Sequence, residues 1–267
     1  MLKFLKNWTL PLAMFAGAIG YFLLANVTIL EPAKPFVNWL IAVLTPFLIF
    51  AQLLLTFCKI EPKELLPKAW HVWLLSIQAV SSGIIALLLI FCPMEEAYRD
   101  IFEGAMVCLI CPTATAAAVI TGKLGGSAST LTTYTLLSNV LAAIAVPLVF
   151  PLVEPHADIT FVVAFLKILS KVFPLLLAPF FIALLFRYYI PSVHRLLSKY
   201  HGVAFYLWAV ALTIVTGQTV RSLVTAAADV SIEIMIALAG LATCCLQFYF
   251  GKRIGSAYHD RISAGQA

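Results

Sequence analysis

Charge is what this chain has least of: Asp, Glu, Lys and Arg together make up 11% of its 267 residues, against 63% hydrophobic. With a mean hydropathy of +1.02, that scarcity excludes a soluble domain, because one core cannot bury so much apolar surface and the remainder would face water. A nucleic-acid-binding face is excluded too, since the basic residues sit in short segments between apolar runs and form no continuous stripe. Long polar linkers and low-complexity tracts are missing as well, which leaves a single transmembrane domain over 1–267.

Cysteine is sparse and badly placed for bridges. Cys92, Cys108, Cys111, Cys244 and Cys245 lie in or at the ends of apolar runs and Cys58 at another end, where structural disulfides are not expected. Cys108-x-x-Cys111 has the spacing of a thiol redox pair, so a membrane thiol redox enzyme is one alternative reading. No second pair to relay electrons accompanies it, and packing is the plainer role of these small polarizable side chains. No catalytic residue, no metal site and no enzyme activity are expected.

Apolar runs of about 20 residues are abundant, and each is long enough to cross a bilayer as a helix. Eight are read as spans: 9–30, 36–57, 69–92, 101–121, 131–153, 173–190, 203–226 and 230–250. The first is too long for a signal-peptide core and is read as retained. Twelve basic residues, among them Lys59, Lys68, Lys123, Arg195, Lys252 and Arg261, fall on the side of the N-terminus. Five fall opposite: Lys34, Arg99 and Arg221, with Lys167 and Lys171 at the edge. The positive-inside rule then places both termini in the cytoplasm of a cell with an inner (plasma) membrane. Segment 161–173 stacks Lys167 and Lys171 at i and i+4 and reads as an amphipathic helix along the outer interface.

One run is irregular. Between Cys111 and Asn139 the helix pattern is interrupted by C-P-T-A-T-A-A-A-V-I-T-G-K-L-G-G and resumes through L-T-T-Y-T-L-L-S-N. Irregular backbone at membrane depth survives only where protein buries it or where it lines a polar cavity, and a broken span is the usual pointer to a transport site. Pro112 removes a backbone donor, and Thr113 and Thr115 offer hydroxyls beside it as substrate-binding groups. Neutral oxygen-bearing residues elsewhere in the spans, Gln78, Gln247 and Asn139 among them, can orient a substrate or act as interhelical glue.

With these residues in view, the chain resembles the bile acid:sodium symporter family. Its bacterial members carry P-G-G-T-A-S-N-V-I-T-Y-L-A-[RK]-G on a broken fourth helix, matched here from Pro112 to Gly126. Thr135 and Ser138 stand at the family's T-x-x-S spacing, and Gln78 in L-L-S-I-Q-A matches its third-helix glutamine. The resemblance implies an all-α integral membrane fold of panel (9–57, 173–226) and core (69–153, 230–250). It implies a small organic anion or amphipathic acid as substrate, sodium as coupling ion, and Gln78, Thr132, Thr135 and Ser138 as cation-binding residues. Ala117-Ala118 replaces the family's Ser-Asn and Leu131 a further serine, and a methyl group cannot coordinate sodium, so sodium dependence is expected to be weak or absent. The family's ninth and tenth spans are expected to be lacking, residues 251–267 being a cytoplasmic tail or the start of the ninth. A membrane binding or scaffold relative that does not transport is the remaining alternative. Beyond substrate and lipid bilayer, no partner and no cofactor are expected.

Overall fold

A computed structural model describes residues 8–59, 66–155, 159–200, 203–225 and 230–267, and among them the regular structure is all helix, with no strand. In chain order the α-helices are α1 (Thr9–Asn26), α2 (Lys34–Lys59), α3 (Ala69–Phe91), α4 (Glu96–Ile110), α5 (Thr115–Lys123), α6 (Ala128–Val153), α7 (Phe161–Tyr189), α8 (Pro191–Lys199), α9 (Val203–Thr225), α10 (Val230–Ala257) and α11 (Arg261–Gly265). A short 3-10 turn, Thr28–Ala33, joins the first two. Seven of these helices are long and apolar enough to cross a membrane. The fourth apolar run is divided between α4 and α5, each too short to cross alone.

Polarity is arranged inside out. Phe91 is 75% exposed and Phe15 and Phe47 project outward as well, whereas Asn139, Ser138, Thr135 and Gln78 are buried. Water would penalise that distribution and hydrocarbon rewards it. The helices follow from it, because in an apolar solvent each N–H and C=O must be met within its own segment. Prolines at 46, 147, 151, 174 and 179 are carried inside helices, as membrane helices tolerate when neighbours re-satisfy the freed groups.

Two sets of neighbours emerge from the packing. α1 lies against α9, α9 against α2, and α2 against α7; α3 packs with α4 and α6, and α10 with α4 and α11. The α6–α7 contact joins the sets. α1 and α9 touch backbone to backbone: a Cβ built on Gly217 would stand 3.1 Å from the carbonyl oxygen of Gly17, and one on Gly17 would run into the carbonyl oxygen of Thr213. Small residues permit such an approach, and side-chain bulk on either helix forbids it. The most polar-adjacent core cluster gathers Trp70 and Leu74 of α3, Ala118 of α5, Leu131 and Tyr134 of α6 and Ala264 of α11.

One sequence expectation changes. Segment 161–173 is not a separate interfacial helix: α7 runs unbroken from Phe161 through Pro174 and Pro179 to Tyr189. Proline starts a helix readily but also continues one where a lost bond is tolerated, so its presence alone did not mark a boundary. Residues 251–257 continue α10, and Arg261–Gly265 form a helix of their own folded back against it.

Candidate functional site

The site is the break between α4 and α5. Proline at 112 cannot donate to the preceding turn, and its ring crowds the carbonyl of the residue four back, so α4 ends at Ile110 with its last carbonyls unmet. Side chains of two other helices meet them. Gln78 of α3 donates from Nε2 to the carbonyl oxygens of Ile110 at 3.2 Å and Cys111 at 3.1 Å. Gln247 of α10 donates from Nε2 to the carbonyl of Leu109 at 3.5 Å.

Gln78 also has its other end engaged. Its Oε1 accepts from the hydroxyls of Ser138, at 3.4 Å, and Tyr134, at 3.5 Å, both on α6. Ser138 Oγ in turn accepts from the backbone N–H of Thr113 at 3.4 Å. One carboxamide therefore ties α3, α4 and α6 around the break, its amine toward carbonyls that can only accept and its oxygen toward hydroxyls that can donate.

Beyond the break, α5 starts at Thr115 without a side-chain cap. The Ala117 N–H is met by the Ala114 carbonyl at 2.9 Å, and the positive end of the helix dipole lies at the break, an arrangement favourable to negative charge. Residues 121–126 then turn the chain back: Gly126 N–H donates to the Thr121 carbonyl at 2.9 Å, and Gly125 holds a φ of 85°, which only glycine adopts without strain.

Gln266 and Ala267 complete the wall. Thr113 Oγ1 donates to the carbonyl of Ala267 at 3.1 Å. α11 is held in place by Lys68 Nζ on Asp260 Oδ2 at 2.9 Å, Trp70 Nε1 on the same oxygen at 3.3 Å, and Ser127 N–H on Ser263 Oγ at 2.9 Å. Burial works against the charged form of Asp260, and the hydrogen bonds from Ser263, Lys68 and Trp70 with the charge of Lys68 outweigh it, holding its carboxyl below the usual carboxylate range. Three glycines make room for α11: a Cβ on Gly255 would come within 2.6 Å of Ala264 Cβ, one on Gly126 within 2.8 Å of Ile262, and one on Gly251 would strike the Ala264 carbonyl.

Together these elements enclose a cavity of about 290 Å³. Gln78, Ser81, Thr113, Gln247 and Gln266 supply its polar lining, and Leu74, Ile77, Pro112, Ala117 and Phe250 its apolar lining. Among the described residues, no side chain of Asp, Glu, Lys or Arg lines it. Its chemistry is that of a neutral amphipathic pocket with a helix N-terminus on one wall.

Of the residues expected from sequence, Pro112, Thr113 and Gln78 line this cavity, and Ser138 stands one hydrogen bond behind it. Thr132 and Thr135 are buried outside the lining, their hydroxyls donating along their own helix to the carbonyls of Ala128 at 2.9 Å and Leu131 at 3.0 Å. The side chain of Thr115 lies outside the described residues. Ala118 packs into the apolar cluster against Trp70 and Leu131. Cys108 and Cys111 both border the cavity as free thiols. Among the described residues, no three His, Cys, Asp or Glu side chains gather as a metal site would require.

Sequence reasoning missed the α11 clamp. Its signal was present as Gly251-x-x-x-Gly255, the spacing that lets another backbone approach a membrane helix. No family model and no curated protein matches the chain.

Proposed function

We propose that the chain is a secondary transporter that carries a small organic anion or amphipathic acid by alternating access at the break between α4 and α5. The observation that carries this reading is irregular backbone inside a bundle of span-grade helices. Its freed carbonyls are met by side-chain amides, and it borders a cavity with both polar and apolar walls. The uncapped start of α5 favours an anionic group, while Phe250, Leu74 and Ile77 favour an apolar body.

Taking α4 and α5 as one interrupted crossing gives eight spans. The α1–α9–α2–α7 set then serves as a panel, and α3, α4, α6 and α10 as a core that rocks against it. Both termini are cytoplasmic in a cell's inner (plasma) membrane, on the basic-residue distribution. Helix ends assigned to one side by that distribution do meet: Ser198 Oγ donates to the Cys58 carbonyl at 2.9 Å, and Arg221 to Asn38 Oδ1 at 2.9 Å. Sodium plays little part, since Ala118 turns an apolar face where the resemblance calls for an oxygen ligand.

The test is uptake of radiolabelled organic acids, from benzoate to cholate, into proteoliposomes. Saturable uptake at least about tenfold above protein-free vesicles, a factor equivalent to 1.4 kcal/mol, is expected for one of them and is expected to disappear in Ala117→Phe, which fills the cavity. If no acid accumulates and none shifts thermal unfolding, the transport reading is wrong.

A further inference from the structure

A second cavity, sharing no lining residue with the first, lies in the other helix set. It measures about 540 Å³ between α1, α2 and α9, within the roughly 300–1,000 Å³ of small-ligand sites. A smaller lobe of about 240 Å³ continues from it through Tyr21, Leu24, Asn38 and Arg221, which border both. From Arg221 to Thr213 the groove follows α9 for eight residues, about 12 Å at the rise of an α-helix.

Its walls are small and apolar: Ala16, Gly17 and Gly20 of α1 and Ala42 of α2 leave the space that larger residues would fill. Its head end is cationic. Among the described residues the Arg221 guanidinium is held by the neutral Asn38 oxygen at 2.9 Å and no carboxylate pairs with it. Lys34, in the smaller lobe, is already paired with Glu31 at 3.5 Å. Among the described residues, one uncompensated positive charge thus heads a largely apolar trough. Arg221 lies four residues before Thr225, the last described residue of α9, and so on the outer side given by the basic-residue distribution, near the depth of lipid headgroups. Ala16, Gly20, Asn38, Ala42, Gln218 and Arg221 are exposed on the outside of the bundle, so the trough opens sideways along faces that exposed Ile19 and Val43 mark as lipid-facing.

The geometry points to a lateral site for an anionic phospholipid, its single phosphodiester charge on Arg221 and one acyl chain along Gly20, Gly17 and Ala42. A charge-assisted bond supplies discrimination between headgroups, and burial of methylenes supplies retention. A bilayer lipid reaches the groove without crossing water, which a soluble anion cannot do.

The experiment is native mass spectrometry of the protein released from bilayers of equimolar phosphatidylglycerol and phosphatidylcholine. One phosphatidylglycerol is expected to be retained with about tenfold preference. Arg221→Gln, which can still hydrogen-bond Asn38, should abolish the preference, and Gly20→Phe should abolish retention of both lipids. A Cβ at Gly20 meets nothing within 4 Å, so the larger side chain starts into open space beside the groove. If it nevertheless unfolds, Arg221→Gln carries the test. Unchanged preference in Arg221→Gln, equal retention of the two lipids by the native chain, or displacement of phosphatidylglycerol by free oleate each overturns the proposal.

Discussion

The side-chain nitrogen of Gln78 lies 3.1 Å from the carbonyl oxygen of Cys111, so a residue of the third span stands in for a backbone donor that is lost where the helix stops at Ile110. The same nitrogen serves Ile110. The irregular segment is stable because its unmet groups are met from outside the segment, and its removable part is one amide.

Gln78→Met keeps the volume and removes both donors. Leaving two carbonyls unmet in a bundle interior costs about 1–3 kcal/mol, which should appear as a lower unfolding temperature in detergent. Gln78→Glu should also destabilise near neutral pH, since an ionised carboxylate cannot donate, and should recover partly as it is protonated. A glutamine that only fills space would leave Met unaffected and show no such pH dependence with Glu.

Asp260 provides a pH signature. Its folded-state carboxyl is held below the usual range, so its contribution is fully present above the unfolded value of about 3.9 and fades as pH falls through the lower folded value. Asp260→Asn should cost about 1 kcal/mol near neutrality, half-exposed Lys68 limiting the ion-pair share. The gap between variant and native chain should narrow as pH falls below the unfolded value, in chemical unfolding curves.

Gly255→Leu should expel α11 from its cradle, because the space beyond the glycine is already filled by Ala264. Overpacking of this kind costs about 1–3 kcal/mol. In a background without native cysteines, Ser263→Cys, fully buried at its position, should resist maleimide and become labelled once Gly255→Leu is added. Equal labelling in the two backgrounds would show that α11 is not clamped there.

Orientation is checked on described residues at opposite ends of helices. Glu31→Cys should react with an impermeant reagent added outside intact cells, and Lys199→Cys only after the inner face is opened. The reverse result would invert the assignment of every loop.

Replacing sodium with potassium at fixed pH should change organic-acid uptake by less than about tenfold, the factor a 1.4 kcal/mol coupling would give. A larger fall would mean that the alanines at 117 and 118 are compensated by other oxygens.

How much of this could be read from sequence varies with the range of the interaction. The break at Pro112 is legible because proline acts on its own turn, and the run of small residues after it reports the same event. The cap on the break is not, since Gln78 stands 32 positions from Ile110 and a sequence with one glutamine per several helices does not say which carbonyl each will meet. Thr132 and Thr135 mislead for the opposite reason: a threonine in a membrane helix can meet its own backbone four residues back, and both do. Proline at 174 reads as a start and proves to be an interior position. α11, five residues long, carries no apolar period at all, and only the paired glycines that receive it leave a trace.

The contact between Gly17 and Gly217 has a further consequence. Where two helices meet through side chains, they slide by exchanging rotamers; where they meet through main chain, no such gearing exists. α1 and α9 therefore have no side-chain padding between them at this contact. Those two positions are also bound to a common fate in sequence, because enlarging either one forces both helices apart along their whole length.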